Sequence, residues 1–163
     1  EELDINSVRT RWQIRMALAI STAILLAGIF NIPRRMWIGI AVMSVTMPFT
    51  DEIKQRSKGR IVGNIVGGLL FVIIYFALPE SMYSYIGIIG GIGVGLSATY
   101  GWQAVFNSWG AMSIAMTFLG VGGAIFYRIF NNAFGAFYAL VFYQLFSIGM
   151  DWIAEVKKKR VSV

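Results

Sequence analysis

Residues 81–127 contain no charged side chain at all. A soluble fold of this size does not clear charge over such a length, because its surface needs it. About 20 apolar residues cross a bilayer, so this stretch alone is long enough for two crossings. The rest of the chain agrees. It is 57% hydrophobic and 13% charged, with a mean hydropathy of +0.67. Eighteen glycines and five tryptophans suit spanning helices, where Gly allows close packing and Trp sits at interfaces. The expected class is an all-α polytopic membrane protein.

Apolar runs and breakers predict six spans, near 12–31, 36–50, 61–78, 83–99, 102–124 and 127–150. Pro33, Pro48 and Pro79 mark ends of the first three. The second and fourth are short; the second gains length if its helix runs into Pro48 and packs against neighbours. Thr50, Asp51 and Glu52 read as a helix start: a capping hydroxyl, then acids at the positive end of the dipole. The third helix is therefore expected to begin near Asp51 and project from the membrane. Residues 1–11 and 151–163 read as polar segments flanking a membrane domain over 12–150. No cleavable signal peptide is visible in the charged opening residues. The chain opens on Glu1 and stops after a basic run, so a trimmed or processed form is expected.

With six spans, eleven of the fourteen bases fall on one side: Arg9, Arg11, Arg15, Lys54, Arg56, Lys58, Arg60, Lys157, Lys158, Lys159 and Arg160. Arg34, Arg35 and Arg128 fall on the other. The positive-inside rule puts both termini in the cytoplasm of a multi-pass plasma (inner) membrane protein. The charge of +6 is explained by topology, and no nucleic-acid partner is expected.

Two segments read alike. Residues 60–75 are RIVGNIVGGLLFVIIY and residues 128–143 are RIFNNAFGAFYALVFY. At an offset of 68, Arg60 matches Arg128, Ile61 Ile129, Asn64 Asn132, Gly67 Gly135 and Tyr75 Tyr143. At about 100° per residue, the arginine, asparagine, glycine and tyrosine share one helical face. A chance match of apolar helices is the plain alternative. The halves, about 12–78 and 83–150, each hold three spans, so they read as inverted repeats, which in transporters meet at the pathway.

Candidate chemistry is sparse. There is no Cys and no His, and all eight acids lie at termini or span edges. That removes buried proton relays, metal sites and hydrolytic acid/base pairs, so neither an enzyme nor a cofactor is expected. GGIGVG, residues 90–95, is a span interior and not a phosphate loop. What remains is positive charge with neutral polarity: Arg60 and Arg128, each with an asparagine one turn on, Asn64 and Asn132. A guanidinium fork suits carboxylates, so these four are the candidate anion pathway. The plain readings are headgroup anchoring for the arginines, with Arg15 and Arg35 the clearest anchors, and interhelical bonding for the asparagines. Gly63 and Gly67, with Gly135 in the second half, read as close-packing positions, and Pro48 joins them. Hydroxyls on the second and fifth spans, Ser44 and Ser108 among them, carry weak signal. The aromatics from Phe126 to Phe146 are expected to face lipid or neighbouring helices.

RMALAISTAILLAGIF, MWIGIAVMSVTMPFTDEIKQRSKGR, GRIVGNIVGGLLF and YRIFNNAFGAF together resemble the fusaric acid resistance and aromatic acid exporter superfamily. Trp37, Pro48, Arg60, Gly63 and Gly67 carry the likeness, with Arg128 and Gly135 as a second arginine-to-glycine entry. The resemblance spans about residues 12–150. It implies a six-helix domain that exports or conducts organic anions, notably aromatic carboxylates, and a distant likeness to plant malate-type anion channels, which are dimeric. Larger members carry a soluble cytoplasmic region and often a second membrane domain; neither is expected within these residues. They often place an acid near the position of Asn131 and Asn132, which weakens any transfer of proton coupling. The expected partners are small organic anions, the lipid bilayer and a second copy of the chain. A non-transporting membrane scaffold is the other reading.

Overall fold

The computed structural model describes residues 7–161, with side chains at 154, 157, 158, 160 and 161 outside the description. The expected terminal segments are thus described only in part. α1 already starts at Val8, and the last helix runs on to Val161. Among the described residues every regular element is helical, as expected.

α1 is Val8–Ile29, with the Ser7 hydroxyl accepting from the Thr10 amide at 3.1 Å. Its buried face carries Ala19, Ala23 and Ala27, one turn apart. Small side chains there let α2 approach closely. The connection turns tightly through Asn31 (φ 50) and Arg34 (φ 55). Both are left-handed, a conformation that asparagine tolerates and arginine resists.

α2 is short, Met36–Val45. The expected run into Pro48 does not occur: Thr46 is already extended at ψ 101. Pro48 disfavours a helical Met47, so the chain straightens before it. α3 is Thr50–Ala77, close to the expected projecting start. Thr50 is not the cap, however; Phe49 holds that position and makes no side-chain bond. Asp51 and Glu52 do occupy the first turn. A 3-10 turn, Glu80–Met82, leads into α4, Tyr83–Leu96.

α5, Tyr100–Val161, holds one non-helical residue, Gly120, at φ 66 and ψ 170. That region is essentially reserved for glycine. The chain reverses there. Arg128 Nη2 donates to the Asn107 carbonyl at 3.4 Å. A straight helix would hold residues so far apart in sequence roughly 30 Å away from each other. The reversal lies earlier than the break expected near residues 125–126, because only Gly120 takes up this backbone geometry. We call the two pieces the N-arm and the C-arm.

Two apolar clusters organise the helices. One joins Ala19, Ala23 and Ala27 of α1 to Ile38, Val42 and Val45 of α2 and to Ala136 and Ala139 of the C-arm. The other joins Phe71 of α3, Ile86 of α4, and Val105, Trp109 and Met112 of the N-arm. Large apolar side chains such as Leu25, Phe76, Leu96 and Phe118 are left exposed. That suits a lipid-facing surface better than water. Among the described residues, α1, α3 and the Tyr100–Ile153 part of α5 are long and apolar enough to cross a membrane, and α2 is a shorter apolar helix.

Candidate functional site

The four candidate pathway residues are brought together in the interior. Arg60, Asn64, Arg128 and Asn132 are 3%, 1%, 2% and 0% exposed. Arg60 lies well inside α3, which begins at Thr50, as expected for a third helix that starts near Asp51. Its Nε donates to Asn132 Oδ1 at 2.8 Å, and its Nη1 to the Tyr100 hydroxyl at 3.1 Å. Tyr100 in turn donates to Ser44 Oγ at 3.0 Å. One arginine of α3 therefore reaches both the C-arm and the N-arm, and through Tyr100 also α2.

Each asparagine repeats one local bond. Asn64 Nδ2 donates to the Arg60 carbonyl at 2.7 Å, and Asn132 Nδ2 to the Arg128 carbonyl at 2.7 Å. This back-bond to the preceding turn fixes the amide and aims Oδ1 outward from its own helix. Asn132 Oδ1 then meets Arg60, whereas Asn64 Oδ1 accepts from Ser108 Oγ at 2.8 Å.

Arg128 is less fully bonded. Beyond its 3.4 Å contact with the Asn107 carbonyl, its guanidinium lies 5.2 Å from the centre of the Trp37 ring. That is within cation–π range. Its Nε has no hydrogen-bond partner, and neither does Arg60 Nη2. Arg128 forms part of the lining of a groove of about 240 Å³ between α2, α4 and the N-arm. The described acids, Asp51, Glu52, Glu80, Asp151 and Glu155, are all exposed. None can neutralise the buried arginines. An arginine buried within a membrane domain is costly to insert and points to a partner or a function.

The glycines do what close packing requires. A Cβ on Gly63 would stand 2.5 Å from the Gly101 carbonyl. One on Gly67 would stand 2.8 Å from that of Val105, and one on Gly135 2.7 Å from that of Ile38. Pro48 is not among them: it lies in the extended segment before α3, and its carbonyl accepts from Arg15 at 3.2 Å. Arg15 also departs from expectation. It is no snorkelling anchor but 7% exposed, bonded to the Met47 and Pro48 carbonyls and set 4.3 Å over the Tyr143 ring. Arg35 is exposed, as an anchor should be.

Two contacts recur at the same offset of 68 that relates the two sequence segments. Gly63 faces the Gly101 carbonyl; Asn131 donates to the Pro33 carbonyl at 2.9 Å. Tyr75 stacks on Tyr83 at 4.4 Å; Tyr143 stacks on Arg15. Each second pair is the first displaced by 68 in both members, upward for one and downward for the other. Asn131, Tyr100, Trp37 and Ser108 were not singled out as site residues by sequence. At the offset of 68 Asn131 is matched by a glycine, Gly63, and the others sit far along the chain from the residues they contact.

The sequence pattern described as fusaric acid resistance protein-like matches residues 21–142, a stretch that includes α2, α3, α4 and the whole arginine–asparagine cluster. No curated protein and no solved structure matches the chain. On a match that covers most of its length, the chain belongs to the fusaric acid resistance protein-like family.

Proposed function

We propose that this membrane protein exports small organic anions, aromatic carboxylates among them, through a pathway built at the Arg60–Asn132 junction. The observation that carries the reading is two buried arginines, Arg60 bonded to Asn132 and Arg128 one turn before it, with no carboxylate bonded to either among the described residues. A structural ion pair would supply a carboxylate from the protein. Here the carboxylate is the cargo, held by the charge-assisted bonds that guanidinium groups form best.

The pathway reading includes an inverted repeat. α1, α2 and α3 make one half; α4, the N-arm and the C-arm make the other. Each apolar cluster combines the first and second helices of one half with the third helix of the other. α3 and the C-arm run antiparallel, since Arg60 meets Asn132 while a Cβ on Gly68 would meet Ile125 and Ile129. Contacts displaced by 68 in both members support the same symmetry. The reversal at Gly120 supports six crossings with both termini cytoplasmic. The active unit in this reading is a homodimer in the plasma membrane, since two-fold closure is the commonest assembly.

Liposomes loaded with benzoate, malate or chloride test the function directly. Efflux of a carboxylate by the purified chain is the expected result. Efflux of none of the three, with insertion confirmed, overturns the reading and leaves a scaffold role.

A further inference from the structure

The arginine cluster carries two positive charges and no described negative one. Its partners are the Asn132 side-chain carbonyl, the Tyr100 hydroxyl, the Asn107 backbone carbonyl and the Trp37 ring, all uncharged. The Arg60 and Arg128 guanidinium groups share one interior region, and their like charges repel. A buried water could satisfy an unpaired N–H, but it would leave both charges uncompensated. Arg128 Nε is an unpaired donor on a side chain 2% exposed. That side chain lines a groove of about 240 Å³, room for an ion far larger than water. Its lining includes four glycines, Gly87, Gly90, Gly91 and Gly110, beside apolar side chains such as Ile40 and Phe106.

We propose that this groove holds a small inorganic anion of the halide class as the resident counter-ion of Arg60 and Arg128. Arg128 contacts it directly, and Arg60 holds it through the shared field. An organic carboxylate entering the same groove displaces the ion, which makes transport an exchange of one anion for another; that second part rests on the export reading above. The exchange is electroneutral for a monocarboxylate. It also gives a carrier with no buried acid among its described residues a coupling ion other than the proton.

Halide binding is measured on the purified full chain in detergent, at fixed ionic strength, with chloride replacing gluconate. The melting temperature is expected to rise along a saturating curve, as for any ligand that binds the folded state. Iodide, which quenches indoles on contact, is expected to show a saturable component that is lost in Trp37→Phe. Arg128→Gln is expected to raise the chloride Kd at least about tenfold. If that variant does not fold, Gly91→Leu serves in its place: Gly91 lines the groove and a Cβ there meets nothing within 4 Å, so the lining takes added bulk without a clash at Cβ. It should weaken chloride binding likewise, whereas Arg9→Gln should leave it unchanged.

A melting temperature indifferent to chloride, or a full response in Arg128→Gln or Gly91→Leu, overturns the counter-ion site. In liposomes, benzoate efflux should require halide on the opposite side. Halide binding with no organic flux defeats only the export reading; organic flux with no halide response in detergent defeats only this one.

Discussion

Ser108 donates to Asn64 Oδ1 at 2.8 Å, the atom whose counterpart on Asn132 receives Arg60 Nε. One serine thus makes the two halves of the cluster unequal. Its hydroxyl has a second acceptor in range, the Ala104 carbonyl at 2.7 Å, but only one proton to give. Position 40, the counterpart of Ser108 in the first half, is isoleucine and offers no competing donor.

A double-mutant cycle on Ser108→Ala and Asn64→Leu should therefore show coupling of about 1 kcal/mol in unfolding free energy, the net worth of a buried neutral hydrogen bond. Chemical unfolding in detergent measures it. Additive losses would mean that the serine bonds only its own helix.

Charge at the cluster should control anion affinity. Arg60→Gln and Arg128→Gln each remove a charge-assisted bond of about 1.5–3 kcal/mol, so the carboxylate Kd should rise roughly tenfold to more than a hundredfold. Arg60→Lys should recover part of the loss, because charge returns without the fork that reaches Asn132 and Tyr100 together. The comparison is made at equal folded protein. Unchanged affinity in both Gln variants would leave the arginines a structural role alone.

Gly67 and Gly135 should resist a methyl group while Gly91 accepts one. Gly67→Ala and Gly135→Ala push a Cβ to 2.8 Å and 2.7 Å from backbone carbonyls. Overpacking of that kind typically costs about 1–3 kcal/mol. Gly91→Ala meets nothing within 4 Å and gains helix propensity of about 0.8–1 kcal/mol. Thermal melts of the three variants should divide accordingly; equal loss in all three would contradict the packing.

Orientation can be read by labelling. Cysteines introduced at position 55, in the first turns of α3, should resist an impermeant external reagent in intact cells. One beside Glu80, in the turn before α4, should react. External labelling at position 55 would reverse the assignment.

The identities between residues 60–75 and 128–143 mark α3, the C-arm and four of the buried polar residues. They do so because arginine and asparagine are rare in apolar segments and stand out by type. Helix ends were less legible. Thr50 has the chemistry of a cap, yet the extended chain from Thr46 to Phe49 moves the cap one residue earlier. Arg15 resembles any basic residue at a span entrance. Only the return of the C-arm brings Tyr143 beneath it, and only the straightened chain before α3 offers it carbonyls. Tyr100 and Ser44 are ordinary residues in sequence; their bond exists because α2 and the N-arm both flank α3. Gly120 lies in a glycine-rich run where several residues could have made the turn.

That single-residue reversal leaves the hairpin without slack. A loop of several residues absorbs displacement along its own length, but Gly120 has two rotatable bonds and rigid rods on either side. The Arg128–Asn107 contact lies partway along those rods, so a small rotation at the fulcrum is read there as a translation. The N-arm also carries Ser108 and the C-arm Asn132, so the same lever shifts the acceptor of one arginine relative to the donor beside the other. If the cluster holds an anion as proposed, its grip and the angle of the hairpin are one mechanical variable.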